Sequence, residues 1–309
     1  MERLLVRRNP DARQAEHWSL LAELYERCVA GTGRAVRIRQ ACGMAHEELL
    51  EIARGVAEEA GALAARLRRE GVEVAATKSS PIDVVTAADR ATEELIRSRL
   101  AEIRPGDGFL GEESGAKGGT SGLTWVVDPI DGTVNYLYGL PNWSVSIAVV
   151  EGDPDPVTWT ALAGAVFSPP LGELFTASAG GGAFLGGRRL RVREAVPLNR
   201  ALVATGFHYT EAIRVNQARV AQPLLARVRD LRRAGGAALD LAYVAAGRLD
   251  AYFEQGLNPW DQAAGALMVQ ESGGLVRGLD QDAPTSRMIL AGRAEVVDEL
   301  RWSLLELGA

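Results

Sequence analysis

Two apolar rhythms share this chain, and their interleaving restricts the fold more than any figure of composition. After Met44, residues Leu49, Ile52, Val56, Ala60, Leu63 and Leu67 recur at spacings of three or four, the period of an amphipathic helix. A second helix is predicted over 87–102, with Thr86 as its N-cap. Short β-rich runs follow at 123–127, 144–151 and 158–167. Residues 173–192 read as hairpins, with Gly186-Gly187 as a two-residue turn. The second half alternates: strand 201–205, helix 215–229, helix 236–246, strand 249–254, helix 261–272, strands 274–276 and 288–291, and a last helix 294–307. Hairpins mixed with helices argue against a purely parallel sheet, so the expected class is α+β.

Residues 1–44 read differently. They mix arginines with both cysteines, Cys28 and Cys42, and break at Gly31 and Gly33. Only 18–29 suits a short helix. The expectation is an N-terminal extension, disordered or not translated, with Met44 as the start. The rest divides into an α+β part, 45–195, and an α/β part, 196–309. No internal repeat is visible, and the glycine-rich stretch 115–122 reads as a mobile surface loop.

The net charge of -6 argues against nucleic acid as the main partner. Two cysteines outside any C-x-x-C pair make a thiolate zinc site improbable and imply no disulfide framework. His17, His46 and His208 are too scattered for an imidazole metal site. No apolar run approaches the roughly 20 residues of a membrane helix, and the first residues lack a signal-peptide core. The expected location is the cytoplasm.

Carboxylates stand at suggestive places: Asp83 before the second helix, Glu112-Glu113 after Gly111, then Asp128 and Asp131 in Asp-Pro-Ile-Asp-Gly-Thr, and Asp261 after Trp260. Val126 and Val127 put Asp128 at the end of a buried strand, and a turn at Pro129 would bring Asp131 back to the same point. Gly132 and Thr133 then offer backbone N–H groups to an anion. Hard cations such as magnesium prefer such oxygen ligands, and buried acids need one, because unpaired carboxylates out of water are costly. Taken singly, the Asp-Gly segment reads equally as an ordinary turn, while Glu112-Glu113 reads first as a solvated pair, Asp261 as a helix N-cap and Asp83 as a loop residue. Their order along the chain changes the balance.

With these pieces in order, the chain resembles the inositol monophosphatase family from about His46 to its C-terminus. The resemblance rests on Gly111-Glu112-Glu113-Ser114, on Trp125-Val126-Val127-Asp128-Pro129-Ile130-Asp131-Gly132-Thr133-Val134-Asn135, on Trp260-Asp261-Gln262-Ala263-Ala264-Gly265 and on Lys78-Ser79-Ser80-Pro81-Ile82-Asp83. It implies a layered α-β-α-β-α sandwich, a homodimer, and hydrolysis of a phosphate monoester by a metal-activated water with Mg2+. Glu112, Asp128 and the Ile130 carbonyl would hold a first magnesium, and Asp128, Asp131 and Asp261 a second. Asp83, with Glu112 beside it, would lie near a third position. Thr133, with Glu112 or Glu113, would orient the water, and the backbone of Gly132 and Thr133 would bind phosphate. Glu254 and Asp261 would meet the substrate, with Gly235, Gly236 and Ala237. That last segment usually reads Gly-Ser-Ala in the family, so a hydroxyl is missing at Gly236.

A carboxylate at Glu254 accepts two hydroxyl donors and suits a polyol, which favours inositol monophosphate. Histidinol phosphate, fructose 1,6-bisphosphate and 3′-phosphoadenosine nucleotides are the alternatives, and a non-catalytic regulator on the same fold is the reading of another class. Asp153-Pro154-Asp155-Pro156-Val157 fits an Asp-x-Asp-x-Val nucleophile motif. Two prolines make it a loop instead, and both lysines, Lys78 and Lys117, precede it. Neither lysine follows a glycine, as a P-loop requires, and no G-x-S-x-G elbow is present.

Overall fold

Residues 33–72, 74–77 and 84–309 are described by the computed structural model, with side chains from His46 onward except at positions 74, 75, 77 and 84. The chain divides into Met1–Ala45 and His46–Ala309, and the packing below belongs to the second unit. The helix expected at 18–29 and the segment from Lys78 to Asp83 lie outside the described residues. Helix α1 spans Gly33–Glu70, so helical backbone passes through Met44, where the sequence suggested a boundary.

Strands β1 (Val74–Thr77) and β2 (Val84–Thr86) pair antiparallel and lead into helix α2 (Ala87–Ile103). Thr86 caps α2 as expected, within a reciprocal capping box with Asp89, a feature worth about 1 kcal/mol.

Strands β3 (Gly108–Gly111), β4 (Gly115–Lys117), β5 (Leu123–Asp131), β6 (Ser144–Glu151), β7 (Thr160–Ser168), β8 (Glu173–Ser178), β9 (Gly182–Leu185) and β10 (Arg188–Arg189) form one sheet. Its order is β10-β9-β8-β7-β6-β5-β3-β4, antiparallel except where β3 runs beside β5. The Gly186-Gly187 turn is present, both residues at positive φ as a tight hairpin turn demands. The stretch read as a mobile loop departs from expectation, because Gly115 to Lys117 pair with β3 as the edge strand β4.

A second sheet holds β11 (Leu202–Thr205), β12 (Asp230–Arg232), β13 (Ala251–Glu254), β14 (Leu275–Arg277) and β15 (Ile289–Gly292), in the order β12-β11-β13-β15-β14. Short helix α3 (Thr133–Tyr138) follows β5. Helices α4 (Glu211–Leu224), α5 (Ala237–Ala245), α6 (Pro259–Glu271) and α7 (Ala294–Glu306) complete the chain. The helix expected to reach 229 stops at Leu224. The Arg229 N–H bonds the Ala201 carbonyl, and the chain enters β12, parallel to β11.

Side-chain alternation sorts these elements into five layers. On β5, Trp125 and Val127 face α1 and α2, joining Leu49, Ala53, Val56, Ile96 and Leu100. Val126 points the other way, into a core shared with α5, α6 and Tyr252 of β13. Ala251 and Phe253, neighbours of Tyr252, face α4 and α7 instead. The layers are therefore α-β-α-β-α, the sandwich expected from the resemblance. Burying one such Leu, Ile or Phe contributes about 1.5–3 kcal/mol, and both sheets are covered on both faces.

Candidate active site

Asp128 and Asp131 are three residues apart on one strand. In a plain strand an odd separation points two side chains to opposite faces. The pairing with β6 prevents this. Asp128 lies opposite Ser146 and Asp131 opposite Ser144, so a three-residue step on β5 answers a two-residue step on β6. The extra residue is a bulge, and it returns Asp131 to the side of Asp128. The expected turn at Pro129 is thus an irregular strand, with the expected convergence. The Ile130 N–H donates to Asp128 Oδ1 at 3.0 Å and fixes that carboxylate.

Gly132 ends the bulge in a left-handed conformation, φ 88°. A Cβ there would sit 2.8 Å from the Asn142 carbonyl, so glycine is required on both counts. Thr133 then opens α3. Its hydroxyl lies 3.1 Å from Asp89 Oδ1 and 3.1 Å from the Ile130 carbonyl. Asp89 is fully buried, and its other oxygen accepts from the Thr86 N–H at 2.9 Å. The resemblance pairs Thr133 with Glu112 or Glu113 in orienting water; the structure adds Asp89, a residue outside the quoted motifs, as the acceptor of the Thr133 hydroxyl.

Glu93, one turn along α2 from Asp89, accepts the N–H groups of Glu113 at 2.8 Å and Ser114 at 2.7 Å. It pins the loop after β3, and the Glu112 N–H bonds the Val127 carbonyl at 3.2 Å. Glu112 lines the central cavity, and Glu113 does not.

The far wall comes from the C-terminal half. Asp131 accepts from the first-turn amides of α5, Ala237 and Ala238, both at 3.0 Å. The Ala237 N–H is therefore engaged by Asp131. The Asn135 side chain donates to the carbonyls of Asn142 and Ala234, holding the segment before α5 in place. Asp261 is the third residue of α6, not its N-cap; its carboxylate takes the N–H of the N-cap residue, Asn258, at 2.6 Å in a capping box, and it reaches the cluster from that position. Glu254 ends β13, beside Gly206, where a Cβ would fall 2.1 Å from its carboxylate oxygens. The Tyr252 hydroxyl donates to Glu254 at 2.5 Å.

These pieces enclose a cavity of about 350 Å³ lined by Glu112, Asp128, Ile130, Asp131, Gly132, Thr133, Gly235, Gly236, Ala237, Glu254 and Asp261. Phe207, His208, Tyr209 and Arg233 line it too. His208 Nδ1 accepts from the Thr210 N–H at 2.9 Å, so its other nitrogen carries the proton in the neutral ring. Of the residues singled out in the sequence, Asp83 lies outside the described residues.

Asp128, Asp131 and Asp261 each bring a carboxylate oxygen within 4.8 Å of the others. Burial pushes Asp131 up to about 7 despite the Ala237 and Ala238 amides, and the charges of Glu254 and Glu112 add to the rise. Burial, then Glu112, raises Asp261 well above the usual carboxylate range. Burial also raises Glu254, partly offset by the Tyr252 hydrogen bond and the Arg233 charge. Carboxylates this crowded must hold protons or a cation. An all-oxygen donor set of converging acids fits a hard divalent cation, and it fits no thiolate- or imidazole-bound metal.

Residues 45–307 match the inositol monophosphatase family. An inositol-1-monophosphatase of Mesorhizobium japonicum is 40% identical over 253 residues, covering 81% of this chain and 93% of that protein. A protein of Xylella fastidiosa named Nus factor SuhB is 42% identical over 241 residues, covering 75% and 85%. The crystal structure of the extragenic suppressor protein SuhB of Bartonella henselae superposes with a TM-score of 0.76 at 37% identity, covering 83% of this chain and 98% of that one. The chain belongs to the inositol monophosphatase family, and by class it is a phosphoric monoester hydrolase.

Proposed function

We propose that this protein hydrolyses inositol monophosphate to inositol and phosphate, with Mg2+ bound at Asp128, Asp131, Asp261, Glu112 and the Ile130 carbonyl. The observation that carries this reading is the convergence of the three aspartates on one cavity that also holds Glu254. A divalent cation bound there supplies Lewis acidity toward phosphate and lowers the pKa of water.

The protein's own groups divide the remaining work. Thr133 donates its hydroxyl proton toward Asp89, which leaves the hydroxyl oxygen ready to accept a proton from a water in the cavity. Asp89 is held by the capping box of α2, so the acceptor is fixed before substrate arrives. The backbone of Gly132 and Thr133 faces the phosphoryl oxygens. Asp131 stays in place because two amides of α5 hold it. Glu254, oriented by Tyr252, accepts hydrogen bonds from the polyol hydroxyls. Gly236 offers no hydroxyl, so polyol recognition rests more heavily on Glu254. The protein acts as a homodimer in the cytoplasm, in keeping with the family resemblance. No helix among the described residues is long and apolar enough to cross a membrane.

Replacing Glu254 tests the substrate assignment. Glu254→Gln keeps an acceptor for Tyr252 but turns an NH2 donor, in place of the second carboxylate oxygen, toward the substrate. A charge-assisted hydrogen bond is worth about 1.5–3 kcal/mol, so kcat/KM for inositol 1-phosphate should fall roughly 10- to 100-fold. Turnover of p-nitrophenyl phosphate, which lacks hydroxyls, should change less than about threefold on the same arithmetic. Wild-type preference for histidinol phosphate, fructose 1,6-bisphosphate or a 3′-phosphoadenosine nucleotide over inositol 1-phosphate would reassign the substrate.

A further inference from the structure

A second cavity, of about 270 Å³, is walled by four arginines, Arg193, Arg200, Arg229 and Arg248, together with Leu202 and Asp250. It opens where β11 begins, at Leu202, and just before β13 begins, at Ala251. The catalytic cavity takes Gly206 and Glu254 from the other ends of these two parallel strands. Roughly 10 Å of strand separates the two ends, so the arginine cavity belongs to the opposite edge of the sheet.

Its charges do not cancel. Arg248 is paired with Glu173 at 2.5 Å, and Arg193 Nε stands 3.5 Å from Asp250 Oδ1. Arg200 and Arg229 enter no ion pair among the described residues. Arg229 spends only its Nε, on the Arg200 carbonyl at 2.7 Å, which brings these two residues together. Two guanidinium charges are left over.

Asp250 adds a second, independent feature. It is 8% exposed, and its Oδ2 accepts the Leu202 N–H at 2.7 Å. Its Oδ1 is buried without a hydrogen bond, the ion-paired Arg193 Nε standing off at 3.5 Å. A buried carboxylate oxygen in that state calls for a proton donor. The cavity thus asks for a doubly negative group, and for a hydroxyl on or beside that group.

We propose that this cavity binds a phosphate-bearing small anion, gripped by Arg200 and Arg229 and donating a hydroxyl proton to Asp250. Monohydrogen phosphate carries both features in one ion, and a polyol phosphate carries them on adjoining groups. Sulfate has the same charge and shape as monohydrogen phosphate but no proton to give. Phosphate should therefore bind more tightly than sulfate, although arginine charge alone treats them alike.

The test is calorimetric titration of the full chain in EDTA, where the acidic catalytic cavity repels anions. Inorganic phosphate, glycerol 2-phosphate and sulfate are compared. Saturable binding of either phosphate compound, at least about tenfold tighter than sulfate, is expected. The comparison of the two phosphate compounds tells a free-phosphate site from a monoester site. R200A/R229A should lose the binding while keeping wild-type circular dichroism and wild-type hydrolysis of inositol 1-phosphate. D128N should keep it. Equal affinity for sulfate, survival of binding in R200A/R229A, loss of it in D128N, or no saturable phosphate binding would each overturn the proposal. If the double variant misfolds, R200Q/R229Q replaces it, and the sulfate comparison on wild-type protein stands without either.

Discussion

Asp128→Asn should lower kcat for inositol 1-phosphate by roughly 10³-fold or more at saturating Mg2+, given that removing a group that merely orients a metal ligand already costs about 10- to 100-fold. The substitution is nearly isosteric. The amide oxygen can keep the 3.0 Å hydrogen bond from the Ile130 N–H, so the bulge should survive. What disappears is one negative charge of the three-aspartate group. The same change relieves crowding in the metal-free protein. Asp131 and Asp261 are already raised by burial and by neighbouring carboxylates. The thermal midpoint in EDTA should therefore stay level or rise, while added Mg2+ should stabilise the variant less than the wild type. Activity within tenfold of wild type would remove Asp128 from the centre of the site. Asp153→Asn, in the loop that mimics a nucleophile motif, should leave turnover intact.

Asp89→Asn carries the second large effect. One Asp89 oxygen accepts from Thr133, and the other accepts from Thr86. An amide can accept at only one of these places and presents a donor at the other. If the capping box is kept, the amide donor faces the Thr133 hydroxyl, which loses its charged proton acceptor; its proton turns to the Ile130 carbonyl or to the water, and its oxygen no longer presents a fixed lone pair to that water. Loss of such positioned proton transfer costs roughly 10²- to 10⁴-fold in kcat. KM should move little, because Asp89 is fully buried and does not line the cavity. Thr133→Ala should give a similar loss, and the double variant should be no worse than either single one. Additive losses would show that the two residues act separately. Folding stability should fall by no more than about 1 kcal/mol, because the amide oxygen keeps the Thr86 N–H and only the negative charge in the first turn of α2 is lost.

Asp89 and Glu93 carry a sequence signal that no motif marks. They sit four apart on α2, on the stripe that continues through Ile96 and Leu100. Two acids on a buried apolar stripe are costly unless hydrogen-bonded, and the 89/93/96/100 spacing alone carries that anomaly. The carboxylates at Glu112, Asp128, Asp131 and Asp261 were legible because their motifs are local and ordered. The bulge that aims Asp131 was not, since it exists only in the pairing of β5 with β6. Strand β12 escaped notice because three residues carry no period, and its existence depends on the neighbouring β11. The arginine cavity was out of reach for the same reason. Its walls come from positions 193 to 250, and no spacing rule joins them.

Placing Glu254 in the same cavity as the aspartates turns a metal site into a reading of substrate.

The most direct test is phosphate release from inositol 1-phosphate by the purified full chain, titrated with Mg2+ after removal of metal by EDTA. The expected result is no turnover without metal, saturable turnover with it, and loss of that turnover in Asp128→Asn. Metal-independent turnover, or none with any sugar phosphate despite demonstrated Mg2+ binding, would contradict the account.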